Sequence, residues 1–379
     1  MVYELDGAGS KAHCGPPVKP PALQNCRAAG CQNGKPKPFW SGCGHWIRVR
    51  WSTNSSLIPL FCCLICPGAV WSNAGAATFT NILAIDFEPS EGYTQGLPLA
   101  GQNLWLSNDP TKGCLVEPLW PGLGLQAYVG LTALSPGNDT LLERHPVTYP
   151  TAFDPASQQT PCVSFSVLFR IEPSTEGTND DFSWFFSTPS PYVLLFTLTF
   201  DHTDNRVYYE TNGSDYRYSL GTQFTNSFLH RLEVDMDFTN NLWSASLNGT
   251  SITPGPIPIA PANQRFILGY LYAAWLLSNA DDPGNNFMAF DHIRVVAGAT
   301  PPTLPQPALQ LSKANNSAAV SVTVETEPGL VQFLDTSDDL QNWQPFASTY
   351  ATNFAWTVSD SSAATNRQGF YRGRASAGP

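Results

Sequence analysis

Residues 230–249 read HRLEVDMDFTNNLWSASLNG and place three carboxylates at alternate positions: Glu233, Asp235 and Asp237. On a strand, residues i, i+2 and i+4 share one face at intervals of about 6.6–6.8 Å. Carboxyl groups grouped on one face can serve as nucleophile and general acid, the pair that cleaves a glycosidic bond. The other face of the same stretch carries Leu232, Val234, Met236 and Phe238. A half-exposed strand with its acids in water shows the same pattern, and that reading accounts for every residue without added chemistry.

Aromatic residues offer a second chemistry. Trp184, Tyr208, Tyr209, Tyr216, Tyr218, Trp243, Tyr270, Tyr272 and Trp275 fall in the central part of the chain. Sugar rings stack on flat aromatic faces while Asp, Asn or Arg fix the hydroxyls. About two thirds of these rings are expected to fill a core. Trp184, Tyr209 and Tyr216 are expected to be the ligand-binding ones, because the polar turns TNDD and TNGSD lie beside them.

Oxygen-rich stretches allow a third. Asp86, Glu88 and Asp291, with Asp180-Asp181 and NADDPGNN (279–286), supply ligands of the type a structural Ca²⁺ takes. The sequence contains no G-x-S-x-G, no H-E-x-x-H and no phosphate-binding glycine loop.

The elements that must position these residues are strands. Prolines number 33 and glycines 29, charged residues are sparse, and apolar residues alternate, as at Val163, Phe165, Val167, Phe169 and Ile171. Polar turns DHTDN, TNGSD and DFTNN separate neighbouring runs, as hairpins require. Only TLLERH and LYAAWLL have the composition of short helical turns. An all-β, antiparallel chain is expected, with an irregular N-terminal segment.

Cysteine and charge divide the chain near residue 70. Cys14, Cys26, Cys31, Cys43, Cys62, Cys63 and Cys66 precede that point, and only Cys114 and Cys162 follow. Residues 1–76 hold seven Lys/Arg and two Asp/Glu, which leaves a formal −16 on the remainder. So acidic a surface repels phosphate backbones, and nucleic-acid binding is disfavoured. Arg48 and Arg50 precede the apolar SLIPLFCCLICPGAV, and small residues SNAGAA follow. That order is the order of an export signal, with cleavage after Ala74 or Ala76. The apolar run is short for a membrane span, and Pro59 and Pro67 interrupt it. The expectation is a signal over 47–76, an over-extended or disordered start over 1–46, and a secreted or cell-surface product with no membrane span once the signal is removed. A zinc cluster of Cys14, Cys26, Cys31 and Cys43 is disfavoured, because the spacing fits no common zinc pattern. In an exported chain Cys114 and Cys162 form a disulfide or remain two buried thiols, and the sequence leaves both open.

After ATPPTLPQP (299–307), a proline-rich linker, about 70 residues carry their own alternation at Val320, Val322 and Val324 and a Pro328-Gly329 turn. This reads as a small β-sandwich over 308–379 of six or seven strands. It resembles a C-terminal module of exported proteins of Verrucomicrobia and related bacteria. The resemblance rests on Pro328-Gly329, Phe333-Leu334, Ser337, Asp339-Leu340, Trp343 and Phe370-Tyr371-Arg372. It implies an accessory domain without catalytic residues.

Residues 77–298 resemble the concanavalin A-like, laminin-G-type jelly roll. IDFEP, RLEVDMDFTNNLWSASLNG and FDHIRV stand where such domains place their first, late and last strands. The resemblance implies that first and last strands pair, and that the domain binds carbohydrate or a cell-surface partner. Laminarinase-like retaining glycosidases share the fold and use E-x-D-x-E or E-x-D-x-x-E. Glu233 and Asp235 match, but Asp237 stands where a Glu belongs, and its shorter, slightly stronger acid suits proton donation less well. Non-catalytic binding is therefore the leading expectation. A glycoside hydrolase or polysaccharide lyase using the three acids is the first alternative, and a purely structural envelope protein the second.

Overall fold

The computed structural model describes residues 47–50, 79–107, 116–120, 122–130, 141–144, 154, 159–188, 193–211, 216–259, 267–279, 282–300, 306–312, 319–362 and 368–376. The irregular start over 1–46, and most of the 47–76 segment, lie outside them, as does Cys114. Among the described residues the chain is built of antiparallel strands, with one 3₁₀ turn at Pro89–Glu91. No described helix is long and apolar enough to cross a membrane.

Two large sheets face each other. One runs from edge to edge through Tyr218–Gln223, Arg206–Thr211, Leu194–Asp201, Asp181–Ser187, Tyr270–Leu276, Leu141–Arg144 and Leu106–Ser107. The other runs through Thr250–Ser251, Leu242–Leu247, His230–Asp237, Cys162–Glu172, Phe287–Gly298, Gln126–Gly130 and Val116–Glu117. Thr80–Ile85 adds to Phe287–Gly298 with Ile85 opposite Ile293, so the first and last strands of this sandwich pair as expected. The architecture is an antiparallel jelly-roll sandwich.

Alternation fills the space between the sheets. Phe165, Val167, Phe169 and Ile171 meet Phe182, Trp184 and Phe186 and then Phe196, Leu198 and Phe200, all fully buried. Rings pack face to edge and face to face, as in Phe196 against Trp243 with centroids 4.2 Å apart. The two segments with helix-like composition are strands. Leu271, Ala273 and Trp275 alternate into this core, and tertiary burial overrides the local preference of LYAAWLL. The second segment, Leu141–Arg144, pairs with Tyr270–Leu276.

A second, small β-sandwich follows. Its three-stranded sheet holds Leu309–Ser312, Val320–Glu325 and Ala355–Asp360; its four-stranded sheet holds Gln344–Tyr350, Val331–Ser337, Gln368–Ser376 and Ile47–Arg50. Val320, Val322, Val324, Leu334 and Tyr371 form its core. Ile47–Arg50 contributes the seventh strand, with Ile47 opposite Tyr371. The arginine-bearing start of the expected 47–76 signal is thus paired with the closing Phe370-Tyr371-Arg372 strand, a strand that cleavage after Ala74 or Ala76 would remove.

The motif residues of this module have structural work. Asp339 accepts hydrogen bonds from the backbone N–H of Gln341 and Asn342 and from Ser337 Oγ, which locks the turn and holds its carboxyl below the ordinary range. Trp343 Nε1 donates to Leu340 O, and the Arg372 guanidinium lies 4.6 Å from the Trp343 ring centroid. Arg372 and Arg374 both bond the buried Asp335.

Candidate functional site

The acid row occupies the outer face of the strand His230–Asp237. Its register places Glu233 between Ser166 and Ser246, Asp235 between Ser164 and Ser244, and Asp237 between Cys162 and Leu242. Residues directly opposite in antiparallel strands share a face, so two serine rows flank the acids. All three side chains are partly buried, crowded by neighbouring strands and by bound side chains.

Each acid has a distinct role. Glu233 Oε1 accepts from Arg231 Nε at 2.9 Å, and its Oε2 from Ser246 Oγ at 3.2 Å. Asp237 accepts the Thr239 and Asn240 backbone N–H groups on Oδ1 and Asn240 Nδ2 on Oδ2, which caps the DFTNN hairpin turn. Burial, with Glu233 beside it, pushes the Asp235 carboxyl above its ordinary value despite a hydrogen bond from Ser164. Its Oδ1 is buried without a hydrogen-bond partner. A cleft of about 200 Å³, lined by Asp235, Asp237, Cys162, Leu242, Ser244 and Pro256 among others, opens beside it.

The three chosen aromatics do not form one platform. Trp184 is 1% exposed and sits in the core, 5.3 Å from Phe165 and 5.4 Å from Phe290 by ring centroid. Its strand reads F-S-W-F-F-S, and the face holding Phe182, Trp184 and Phe186 is the one the opposite sheet covers. Tyr209 is half-buried: its ring meets Trp243 edge-on at 5.6 Å and stacks on Tyr218 at 5.1 Å. Tyr216 is 74% exposed and Tyr218 45%. The aromatic surface is therefore the edge of the first sheet, where Tyr216 and Tyr218 stand and Tyr209 joins them to the core.

Between those two tyrosines Arg217 turns to the outer face of the sheet. Its Nη1 reaches Asp181 at 3.2 Å and Asp201 at 3.1 Å, and its Nε reaches Glu210 at 3.2 Å. Burial, with Asp201 adjacent, raises the Asp181 carboxyl even so. Tyr208 Oη donates to Asp204 Oδ2 at 2.6 Å on the next turn. One guanidinium held by three carboxylates fixes the Tyr-Arg-Tyr segment at the edge, with Arg217 on the outer face and Tyr218, stacked on Tyr209, on the opposite one. Tyr218 stood among the candidate aromatics of the sequence but not among the three expected to bind, and Arg217 was not singled out; the triplet Tyr216-Arg217-Tyr218 next to a strand was the available sign.

The calcium candidates are spoken for by protein groups. Asp86 bonds His292 Nδ1 at 2.9 Å and Arg294 Nη2 at 2.5 Å, and against the upward push of burial these partners hold its carboxyl low. Glu88 Oε1 accepts the Leu125 N–H. Asp291 accepts the His292 N–H at 2.6 Å and Gln126 Nε2 at 3.5 Å; burial, then Asp86 nearby, pushes its carboxyl to about 8. Asp180 anchors the 279–286 loop by accepting from Trp275 Nε1, Ser278 N and Gly284 N. Among the described residues no three His, Cys, Asp or Glu are grouped to hold a metal ion. Cys162 is a free, buried thiol, raised by burial and then by Asp237 and Asp235.

The strand order defines a jelly-roll sandwich carrying a smaller one. Neither a family model nor a curated protein matches the sequence. Solved structures similar to the chain include a sialidase, at 10% identity and a TM-score of 0.36 over 50% of this chain and 16% of that one. A carbohydrate esterase from the Shiga toxin-encoding bacteriophage phi24B is similar at 15% identity and a TM-score of 0.40, over 58% of this chain and 100% of its own. Lectin II from Ulex europaeus is similar at 10% identity and a TM-score of 0.37, over 58% of this chain and 98% of its own.

Proposed function

We propose that the chain is an exported protein that binds carbohydrate, or a glycan-bearing cell-surface partner, at the Tyr216-Arg217-Tyr218 edge of the larger sandwich without cleaving it. The observation that carries this reading is the exposure of Tyr216 and Tyr218 at a sheet edge that Arg217 fixes through Asp181, Asp201 and Glu210. Exposed rings at the sheet edge supply stacking faces for a sugar. The resemblance of the small sandwich to a module of exported proteins supports a surface location. A glycan array with the wild-type chain and with Tyr216→Ala and Tyr218→Ala tests the reading. Signal that both variants lose is expected, and signal that neither variant alters would overturn it.

A second reading has a specific observation behind it: the raised Asp235 carboxyl beside a cleft is placed as a general acid would be. Against it, Asp237 spends both oxygens on a turn and Glu233 both on Arg231 and Ser246. A polysaccharide screen of the wild type and Glu233→Gln decides. Turnover abolished by that substitution makes the protein a glycoside hydrolase or lyase.

A further inference from the structure

Gln368–Ser376 lies second from the edge of the four-stranded sheet, between Val331–Ser337 and Ile47–Arg50. Val331–Ser337 pairs with its residues 370–376 in an unbroken register. Gln368 and Gly369 lie beyond that ladder, and among the described residues their strand partners are Arg50 and Val49 alone. Ile47–Arg50 itself covers the first four of the nine residues. Cleavage after Ala74 or Ala76 would make Gln368–Ser376 the edge, with its outward N–H and C=O groups unpaired. The features that blunt an edge are missing there. QGFYRGRAS contains no proline or lysine, and its register with Val331–Ser337 shows no bulge.

The register also selects the strand that fits. Position 47 stands opposite Tyr371, which is 3% exposed and belongs to the module's core. Position 49 stands opposite Gly369, where an added Cβ would meet nothing within 4 Å. Residues directly opposite share a face, so both positions lie on the core side of the sheet. One meets a buried ring and the other has room for a side chain. In strand addition the main chain supplies affinity and alternate side chains supply selection. A segment with apolar residues two apart meets both demands, and I-R-V-R is such a segment.

We propose that the edge at Gln368–Tyr371 is a strand-acceptor site. Ile47–Arg50 fills it in the unprocessed chain, and an extended partner segment with apolar residues two apart fills it after cleavage. The vacated state rests on the export reading. Labelled HWIRVRWS (residues 45–52), followed by fluorescence anisotropy, tests the site. It is titrated into the full chain carrying a protease site in place of 72–76, uncut or cut after folding. Saturable binding to the cut chain is expected. A tethered strand competes at an effective concentration in the millimolar range, so the uncut chain should bind at least about tenfold more weakly. Full chain with Arg48→Pro and Val49→Pro should bind like the cut chain. Successive N–H groups point to opposite sides of a strand, so one of the two prolines removes a ladder donor. Gly369→Val in the cut chain fills the space opposite position 49 and should weaken binding at least about fivefold. A scrambled peptide of the same residues controls for attraction of basic peptides to an acidic chain. Equal binding of the scrambled peptide, no binding by either opened form, or affinity unchanged in Gly369→Val would each overturn the site. Loss of the folded thermal melt on cutting would make Ile47–Arg50 a permanent strand and overturn the exchange. A peptide-free dimer of the cut chain in light scattering would assign the edge to a second copy instead. Secreted protein with residues 1–76 intact would overturn the processing step, whereas failed peptide binding leaves the export reading untouched.

Discussion

Arg231 of the larger sandwich donates from Nη1 to Glu327 Oε2 of the smaller one at 3.0 Å, across 96 residues of sequence. Its Nε bonds Glu233, so one buried guanidinium joins a member of the acid row to the second module. Gly329 packs directly on it: at φ +84° a Cβ there would lie 2.4 Å from Arg231 Cβ. Tyr350 Oη adds a bond to Leu229 O at 2.5 Å, and its ring lies 4.7 Å from Phe228. The Pro328-Gly329 motif is thus a docking feature, and the two sandwiches are in contact despite the proline-rich connection.

Arg231→Ala leaves Glu233 and Glu327 partly buried without their cation. A loss of about 3–5 kcal/mol is expected, as for removal of one partner from a buried pair. Gly329→Ala should cost about 1–2 kcal/mol for the left-handed backbone alone, with displacement of Arg231 in addition. Chemical denaturation of both variants checks the values. A loss under 1 kcal/mol for Arg231→Ala contradicts the docking role.

Trp184→Ala is expected to destabilise the chain by about 3–5 kcal/mol, the cost of a cavity left by a large aromatic. Tyr216→Ala should change stability by no more than about 0.5 kcal/mol, as a surface substitution does, and Tyr218→Ala by about 0.5–1.5 kcal/mol through loss of its stack on Tyr209. Thermal melts beside the glycan array therefore separate core rings from binding rings.

Asp291 and His202 set the pH profile of stability. The folded carboxyl of Asp291, at about 8, lies above its unfolded value near 4. The folded state holds a proton that the unfolded state releases, so this contribution is full at acid pH and fades as pH rises through about 8. His202 is buried between Phe182 and Phe224, and burial lowers it from 6.5 to about 4. Its contribution is present above 6.5 and fades as pH falls toward about 4. Asp291→Asn should flatten the fall in denaturation midpoint between about pH 4 and pH 8, and His202→Leu the fall below about pH 6.5; an unchanged profile in either variant refutes its assignment.

Cys162, 6% exposed and raised by burial and two acids, should resist alkylation in the native protein and react after unfolding. Peptide mapping after iodoacetamide pulses with and without denaturant measures the ratio at that residue. Equal labelling in the two states would contradict the burial.

Much of the architecture was legible in the amino-acid order. Alternation along Val163–Ile171, the turn residues after Asp237 and the Val320–Val324 run each specify a local strand or turn, and local geometry is what a period of two records. The small module's motif residues also mapped to definite contacts, because Asp339 and Trp343 act within a few residues of their partners.

Burial and long-range contact belonged to the tertiary structure. Trp184 shares a face with Phe182 and Phe186, yet the alternation of F-S-W-F-F-S does not say which face a second sheet will cover. Asp235 became a half-buried acid because Ser164 and Ser244 come from strands beside it and shield it from water. Arg231 met Glu327, and Arg217 met Asp181, only when chain segments distant in sequence closed together. A side chain's period follows from its own strand, but its environment is set by neighbours that the period does not encode.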